Sequence, residues 1–289
     1  MKLIDGKNIA ETVKREIAAK VKTMIDAGQK TPHLAAVLVG EDPASETYVA
    51  AKEHACKAVG FTSSVHKLPE NTTESELLET IKFLNNDESV DGYIVQLPLP
   101  KHIDTNAIIS AIDPQKDVDG FHPENVGRMV MDLPCFMPAT PAGIVTLLER
   151  SNIETSGKNC VVVGRSNIVG TPVSILLSRN SKKANCTVTL CHSRTKNLKE
   201  ICASADILVA AIGKPEFITA DMVKDGAVVI DVGIHRIVGA GLKPALVGDV
   251  KFDDVAPKCS FITPVPGGVG PMTIAALLQN TFRAAKMRY

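Results

Sequence analysis

The sequence contains no tryptophan, and aromatic residues make up only 4% of its 289 residues. Proteins that bind single-stranded nucleic acid stack bases on aromatic side chains, and this chain offers few of them. An excess of positive charge is also missing, because 32 lysines and arginines are balanced by 32 aspartates and glutamates. The chain therefore has no net attraction for polyanions, and we expect no nucleic-acid partner.

Long apolar runs and paired cysteines are missing too. No stretch approaches the roughly 20 apolar residues that span a bilayer, and the N-terminus lacks the apolar core of a signal peptide. The seven cysteines are scattered, with no CxxC pair and no Cys/His cluster of zinc spacing. We expect a soluble, cytoplasmic protein with reduced, mostly buried thiols, no metal and no membrane contact.

Several common catalytic motifs are absent from the sequence. It contains no HExxH pair, no GxSxG nucleophile elbow and no Walker loop. These absences disfavour zinc proteases, serine hydrolases and P-loop phosphoryl transfer.

What the sequence does contain is an alternation of helical and strand-like patterns, which is typical of an α/β fold with parallel strands. Its length exceeds the roughly 100 to 200 residues of one domain, so two α/β domains are expected. A proline-rich passage at 131–143 breaks the alternation. We place the first domain at 1–141 plus 271–289 and the second at 142–270.

The patterns predict the following elements. Helices are predicted at 7–27, 43–59, 74–85, 142–150, from near 171, 198–203, and from 271 to about 285. Strands are predicted at 33–39, 62–67, 92–95, 159–164, 187–191, 207–210 and 227–231. The order in the second half indicates a Rossmann-like, doubly wound parallel sheet, and we expect the last helix to pack back on the first domain.

The helix at 43–59 carries Tyr48 and Lys52, which share one face because they are four residues apart. A lysine that is desolvated beside a phenol can have its pKa lowered until it acts as an acid or base near neutrality. From the spacing alone, however, a solvated lysine and an ordinary half-buried tyrosine are the commoner interpretation.

Two other polar residues follow strand-like segments. Gln96 lies in VQLPLP, where prolines stiffen a loop at a strand's carboxyl end, the place where α/β sheets bind ligands. Asp119 lies in KDVDGF, where its carboxylate can accept paired N–H donors from a heterocycle. The alternatives are a rigid connector for Gln96 and an Asx turn for Asp119.

GRSNIVG, which starts at Gly164, follows a strand and opens a helix, as a dinucleotide fingerprint should. It departs from GxGxxG because Ser166 replaces the second glycine and Gly170 falls one residue late. The next strand ends without an acidic residue for a ribose hydroxyl and carries Ser193 and Arg194 instead. With Arg165 nearby, this composition favours NADP over NAD. The alternative for Arg194 is a plain surface cation.

PVPGGVGPMT, at 264–273, is rich in glycine and proline and leads into the last helix. Such a loop allows a backbone to approach a ligand closely, although turn formation alone would also account for it.

Taken together, YVAAK, VQLPLP, KDVDGF, GRSNIVGTP, VIDVGI and TPVPGGVGPMT resemble the bifunctional methylenetetrahydrofolate dehydrogenase/cyclohydrolase family. The resemblance implies that Lys52 is the catalytic lysine, that Gln96 tunes it, that Tyr48 stacks on the aminobenzoate ring and that Asp119 holds the pterin. Cofactor contacts are implied at Gly164, Arg165, Ser166, Ser193, Arg194 and Ile234, and further folate contacts at Pro266, Gly267 and Gly268.

The resemblance also implies an architecture and a reaction. Two α/β domains would flank a cleft, the first binding tetrahydrofolate derivatives and the second NADP, in a homodimer. Methylenetetrahydrofolate would be oxidised to the methenyl compound and then hydrolysed to formyltetrahydrofolate. Two alternatives are another two-domain NADP dehydrogenase, resembling shikimate dehydrogenase, and a nucleotide-sensing protein without enzymatic activity.

Overall fold

A computed structural model describes residues 1–237 and 245–287 of the chain. The helices are α1 (Gly6–Asp26), α2 (Pro43–Val59), α3 (Glu74–Asn86), α4 (Thr105–Ala111), α5 (Pro123–Val130), α6 (Ala139–Arg150), α7 (Gly170–Ser178), α8 (Leu198–Ala203), α9 (Phe252–Val255) and α10 (Val269–Lys286). The strands are β1 (Lys2–Leu3), β2 (His33–Val39), β3 (Thr62–Leu68), β4 (Gly92–Val95), β5 (Asn159–Val163), β6 (Thr187–Cys191), β7 (Ile207–Ala210), β8 (Val228–Asp231), β9 (His235–Ile237), β10 (Ala245–Val247) and β11 (Phe261–Ile262).

The chain divides into two compact units, one of residues 11–139 and 274–289 and the other of residues 1–10 and 140–273. Residues 1–10 thus group with the later half of the chain, whereas the sequence interpretation put them in the first domain. The reason is β1, which pairs in parallel with β11 through Lys2 and Phe261. A two-residue strand has no periodic pattern that would reveal such a pairing.

The unit of residues 11–139 and 274–289 is built on a parallel sheet with strand order β3-β2-β4. β2 is the central strand, and its apolar residues from Leu34 to Val39 are all buried, as in parallel sheets covered on both faces. α3 packs against this sheet through Leu77, Ile81 and Leu84. Because β2 pairs with β3 on one side and β4 on the other, the strand order reverses at β2, a location where α/β sheets bind ligands.

The other unit has a six-stranded sheet in the order β1-β11-β8-β7-β5-β6, and every pairing in it is parallel. β5 is followed by β6 on one side and by β7 on the other, so the strand order reverses here as well. Buried residues of β5, β7 and β8 form a core with Met222, Val255 and Cys259. The predicted Rossmann-like, doubly wound parallel sheet is confirmed.

Two helices begin earlier than predicted. α6 starts at Ala139 rather than 142, and α10 starts at Val269 rather than 271. In both cases a proline, Pro141 or Pro271, occupies the third helical position. The first turn of a helix tolerates proline because its N–H groups have no partner within the helix.

The last helix packs as predicted. Asn280 of α10 donates hydrogen bonds to the carbonyls of Val118 and Met137, at 2.8 and 2.9 Å. Arg283, one turn later, donates to the carbonyl of Cys135 at 2.6 Å. All of these residues lie in the unit of residues 11–139 and 274–289.

The state of the cysteines is also as predicted, since all seven are free and buried. Among the helices that the structure describes, none is both long enough and apolar enough to cross a membrane.

Candidate active site

The register of α2 is set at both of its ends. The carboxylate of Asp42 caps the helix by accepting the amide hydrogen of Ser45 at 2.8 Å, and Pro43 opens the first turn. Gly60 ends the helix in the left-handed conformation, with φ of 82°. Tyr48 and Lys52 therefore lie one turn apart on the same face, as predicted.

Lys52 is hydrogen-bonded to Gln96. Its Nζ donates to Gln96 Oε1 at 3.0 Å, although the two residues are 44 positions apart in the chain. Gln96 directly follows β4, and its backbone N–H donates to Val37 of β2 at 2.9 Å. Its amide group is oriented by a second hydrogen bond, from Nε2 to the carbonyl of Leu97 at 2.7 Å. The end of β4 thus holds Gln96 so that its Oε1 can accept a hydrogen bond from Lys52.

Burial and charge shift the pKa values around Lys52 in opposite directions. Burial lowers the pKa of Lys52, and the nearby carboxylate of Asp119 partly opposes that shift. Burial raises the pKa of Asp119 to about 6, against the stabilising charge of Lys52. The two groups therefore form an electrostatic pair. At a given pH, a larger fraction of Lys52 is neutral than for a lysine in water.

The segment that carries Asp119 is held by other residues. Lys116 is buried and donates to the carbonyls of Leu84 and Asp87, at 2.6 and 2.8 Å. The turn is made by Asp117, whose carboxylate accepts the amide hydrogens of residues 120 and 122 at 3.0 and 2.8 Å. The Asx turn considered for Asp119 thus belongs to Asp117. Within residues 1–237 and 245–287, no hydrogen bond engages the carboxyl group of Asp119.

Tyr48 presents an aromatic ring beside this group. Its side chain is 42% exposed, one turn before Lys52, although buried residues such as Ser45 and Ala55 lie on the same side of the helix. An exposed aromatic face next to a lysine is suited to stacking on a flat ligand.

In the other unit, the loop after β5 is built on two glycines. Gly164 has φ of 118°, and a Cβ at this position would overlap the carbonyl oxygen of Ala211. A Cβ at Gly170 would overlap the carbonyl of Gly164 in turn. Gly170 therefore provides the close helix–strand packing of a fingerprint glycine, despite falling one residue late.

Ser166 replaces the middle glycine and organises the start of α7. Its Oγ accepts the amide hydrogens of Val169 and Gly170, at 3.2 and 3.4 Å. Its carbonyl accepts the amide hydrogen of Thr171 at 3.1 Å. The loop therefore turns tightly from β5 into α7, and Ser166 provides the acceptors for the first amides of the helix.

Arg165, Ser193 and Arg194 are exposed at the carboxyl ends of β5 and β6. These two strands are neighbours in the sheet, and their last residues, Val163 and Cys191, are paired. Two guanidinium groups and a hydroxyl thus lie at one sheet edge beside the glycine loop. This set fits a dinucleotide that carries a phosphorylated ribose.

Ile234, in the loop after β8, is 47% exposed. At the end of β8, the buried Asp231 accepts the amide hydrogens of Gly233 and Asp249, both at 2.9 Å. Burial raises the pKa of Asp231 to about 6. Nothing in the sequence pattern singled out Asp249. In the structure, the neighbouring Gly248 leaves the room that Asp231 needs, because any Cβ there would overlap the Asp231 carboxylate.

The glycine and proline loop before α10 packs against the start of α1. The amide of Lys7 donates to the carbonyl of Gly267 at 2.9 Å, and a Cβ at Gly6 would overlap the carbonyl of Gly268. The peptide bond before Pro266 is cis. Gly267 has φ of 103°, so this conformation requires glycine.

Comparison with known proteins places this chain among close relatives. It is 61% identical over 290 residues to a protein of Cytophaga hutchinsonii named bifunctional protein FolD, and the match covers 100% of both chains. A solved structure of the bifunctional FolD dehydrogenase/cyclohydrolase from Campylobacter jejuni is 46% identical, with a TM-score of 0.95 and full coverage of both chains. The Trypanosoma brucei enzyme, solved with NADP cofactor and inhibitor, is 37% identical with a TM-score of 0.93, covering 99% of this chain and 97% of that one.

Shikimate dehydrogenase is much more distant. The structure from Aquifex aeolicus is 13% identical with a TM-score of 0.53, and the match covers 89% of this chain and 97% of that one. This similarity shows a shared fold alone.

Two family models match the chain directly. Residues 4–119 match the catalytic domain of tetrahydrofolate dehydrogenase/cyclohydrolase, and residues 138–289 match its NAD(P)-binding domain. The chain belongs to the tetrahydrofolate dehydrogenase/cyclohydrolase family.

Proposed function

We propose that this protein oxidises 5,10-methylenetetrahydrofolate with NADP and then hydrolyses the methenyl product to 10-formyltetrahydrofolate. The observation that carries the proposal is the hydrogen bond of 3.0 Å between Lys52 and Gln96, beside the carboxyl group of Asp119, in a chain of this family. A nucleotide sensor without enzymatic activity does not account for this group, and the similarity to shikimate dehydrogenase is one of fold alone.

Lys52 is the acid/base residue of the hydrolytic step. Attack of water on the methenyl carbon releases a proton, and opening of the ring requires a proton on the departing nitrogen. Because burial lowers the pKa of Lys52, its neutral form can take the first proton and its charged form can return it. A neutral lysine also avoids repelling the cationic substrate.

Gln96, Tyr48 and Asp119 position the lysine and the folate. Gln96 accepts a hydrogen bond from Lys52 and so holds the amine in place. The exposed ring of Tyr48 stacks on the aminobenzoate, and Asp119 accepts paired N–H donors of the pterin. We further propose Pro266, Gly267 and Gly268 as folate contacts, on the family resemblance.

The cofactor contacts are proposed at the carboxyl ends of β5, β6 and β8. The glycine loop at Gly164, with Arg165 and Ser166, cradles the phosphates, while Ser193 and Arg194 hold the ribose phosphate. Ile234 contacts the nicotinamide, the ring that accepts the hydride when NADP is bound. We also propose a cytoplasmic homodimer. The location rests on the seven free, buried cysteines, and the assembly rests on the family resemblance alone.

The function is tested by mixing the purified chain with methylenetetrahydrofolate and NADP. We expect the NADPH absorbance band to rise, and the band of added methenyltetrahydrofolate to decay faster than without enzyme. Shikimate and NADP should give no rise. NADPH formation from shikimate alone would establish the dehydrogenase alternative, and silence with both substrates would favour the nucleotide sensor.

Replacing Asp119 with alanine is expected to weaken folate binding by about tenfold to a hundredfold, because paired hydrogen bonds to a charged group are lost. The same change should move the Lys52-dependent limb of the hydrolysis pH profile to lower pH. The sign follows from the carboxylate, which raises the pKa of Lys52 and no longer does so when it is removed. Calorimetry with a folate analogue and a pH–rate profile measure the two effects.

Asp26→Ala is the matched control, because Asp26 is exposed at the end of α1. It should leave both quantities unchanged. Wild-type folate affinity in the Asp119 variant would contradict the role proposed for this carboxylate.

A further inference from the structure

The loops that follow β7 and β8 converge on the side chain of Asp249, which is fully buried. Its Oδ2 accepts the amide hydrogens of Ile212 and Gly213, at 2.6 and 3.0 Å. Its Oδ1 accepts the amide hydrogen of Lys214 at 3.1 Å. Three consecutive amides of one loop thus point at a single carboxylate.

The same carboxylate also reaches the loop after β8. Asp249 Oδ1 lies 2.7 Å from Nε2 of His235, the residue that directly follows Ile234. On the other side of Ile234, the amide of Gly233 is held by Asp231. The exposed Ile234 is therefore fixed by a carboxylate on each side.

Asp231 holds Asp249 in place. Besides binding the amide of Asp249, its carboxylate accepts the amide hydrogen of Val250 at 2.9 Å. The backbone N–H of Asp231 donates to Thr263 Oγ1 at 2.8 Å. A Cβ at Gly233 would overlap Asp249, so this contact requires glycine there. Asp231, at the end of β8, thus positions Asp249, and Asp249 in turn binds the loops after β7 and β8.

We propose that Asp249 is a positioning residue for the dinucleotide, since it fixes the loops after β7 and β8 that the bound cofactor contacts. The inference rests on the proposed function, because it takes the carboxyl ends of the parallel strands as the NADP site. The side chain of Asp249 is fully buried, so its proposed effect on the cofactor is indirect. Its carboxylate accepts the backbone amides of residues 212, 213 and 214. Without this acceptor, the loop at 212–214 and Ile234 would shift.

The test compares Asp249→Asn with wild type in the full-length protein. Asparagine keeps the shape, but its NH2 group cannot accept the hydrogen bonds made by one of the two oxygens. We expect NADP affinity, measured by calorimetry, to fall by about tenfold or more. Hydrolysis of methenyltetrahydrofolate, assigned to residues of the other unit, should stay at its wild-type rate. Asp254→Asn, which changes an exposed acid of α9, is the control and should leave both quantities unchanged.

Unchanged NADP affinity in a folded Asp249→Asn protein would overturn the proposal. An equal loss of NADP affinity and hydrolysis would also overturn it, because that result indicates general damage. If Asp249→Asn shows no cooperative melting transition and so does not fold, His235→Ala replaces it as the test variant. This change removes only the contact of His235 with Asp249, at a partly exposed residue. A weaker NADP affinity supports the proposal, and a wild-type affinity overturns it.

The calorimetric readout does not depend on which substrate is oxidised. If wild type binds NADP but forms no NADPH from methylenetetrahydrofolate, the proposed function fails and the loop assignment can still hold. If wild type binds no NADP, both fail.

Discussion

Lys52→Met is expected to reduce the hydrolysis of methenyltetrahydrofolate by about 10²- to 10⁴-fold, the usual contribution of a positioned acid/base group. Methionine keeps the unbranched, apolar stem of lysine and most of its length, but it has no proton to exchange and no donor for Gln96. The affinity for NADP should be unchanged, because the proposed cofactor contacts lie in the other unit. Decay of the methenyl absorbance band measures the first quantity, and calorimetry with NADP measures the second.

Lys57→Met is the matched control for this experiment. Lys57 lies in the last turn of the same helix, α2, and is exposed. The same chemical change at this position should leave hydrolysis intact. A Lys52→Met protein that hydrolyses the substrate at the wild-type rate would show that another group transfers the proton.

Gly164→Ala is expected to reduce kcat/KM for NADP about a hundredfold, because it combines backbone strain with a steric overlap. The backbone at Gly164 has φ of 118°, a region that alanine rarely adopts, and the new methyl group would overlap the carbonyl of Ala211. The loop must therefore move away from β7, which displaces the amides at the start of α7. Hydrolysis should be retained, since Lys52 and Gln96 are not in this unit.

Gly127→Ala provides the same substitution at an unconstrained site. Gly127 is exposed in α5, and a Cβ there would meet no atom within 4 Å. We expect wild-type activities and a slightly higher melting temperature, because alanine favours helix over glycine by about 1 kcal/mol. Wild-type dehydrogenase kinetics in Gly164→Ala would contradict the assignment of this loop to the cofactor.

Local sequence signals predicted the elements that carry the site. Asp42 and Pro43 mark the start of α2, and the spacing of four residues places Tyr48 and Lys52 on one face of that helix. The apolar run of β2 and the short β4 are found where their patterns place them. These signals are reliable because caps, prolines and burial patterns act over a few residues. The weak dinucleotide fingerprint was also placed correctly, between β5 and α7.

The contacts between distant segments could not be read from such signals. Spacing alone favoured a solvated Lys52, whereas the fold brings it to Gln96 on a different element. The sequence analysis considered an Asx turn for Asp119, whereas in the structure Asp117 makes that turn. The carboxylate of Asp119 instead interacts electrostatically with Lys52.

The sequence by itself predicted the fold class, most of the longer helices and strands, the cysteine state and, through six motifs taken together, the family. It did not predict α4, α5, α9, β1, β9, β10 and β11. Only the tertiary structure decided that β1 completes the six-stranded sheet and that Asp249 binds the loops after β7 and β8. The physical reason is the sequence distance over which the interactions act. Helices and strands are encoded by neighbouring residues, but the partner of a buried carboxylate or an edge strand depends on which distant segments the packed core brings together.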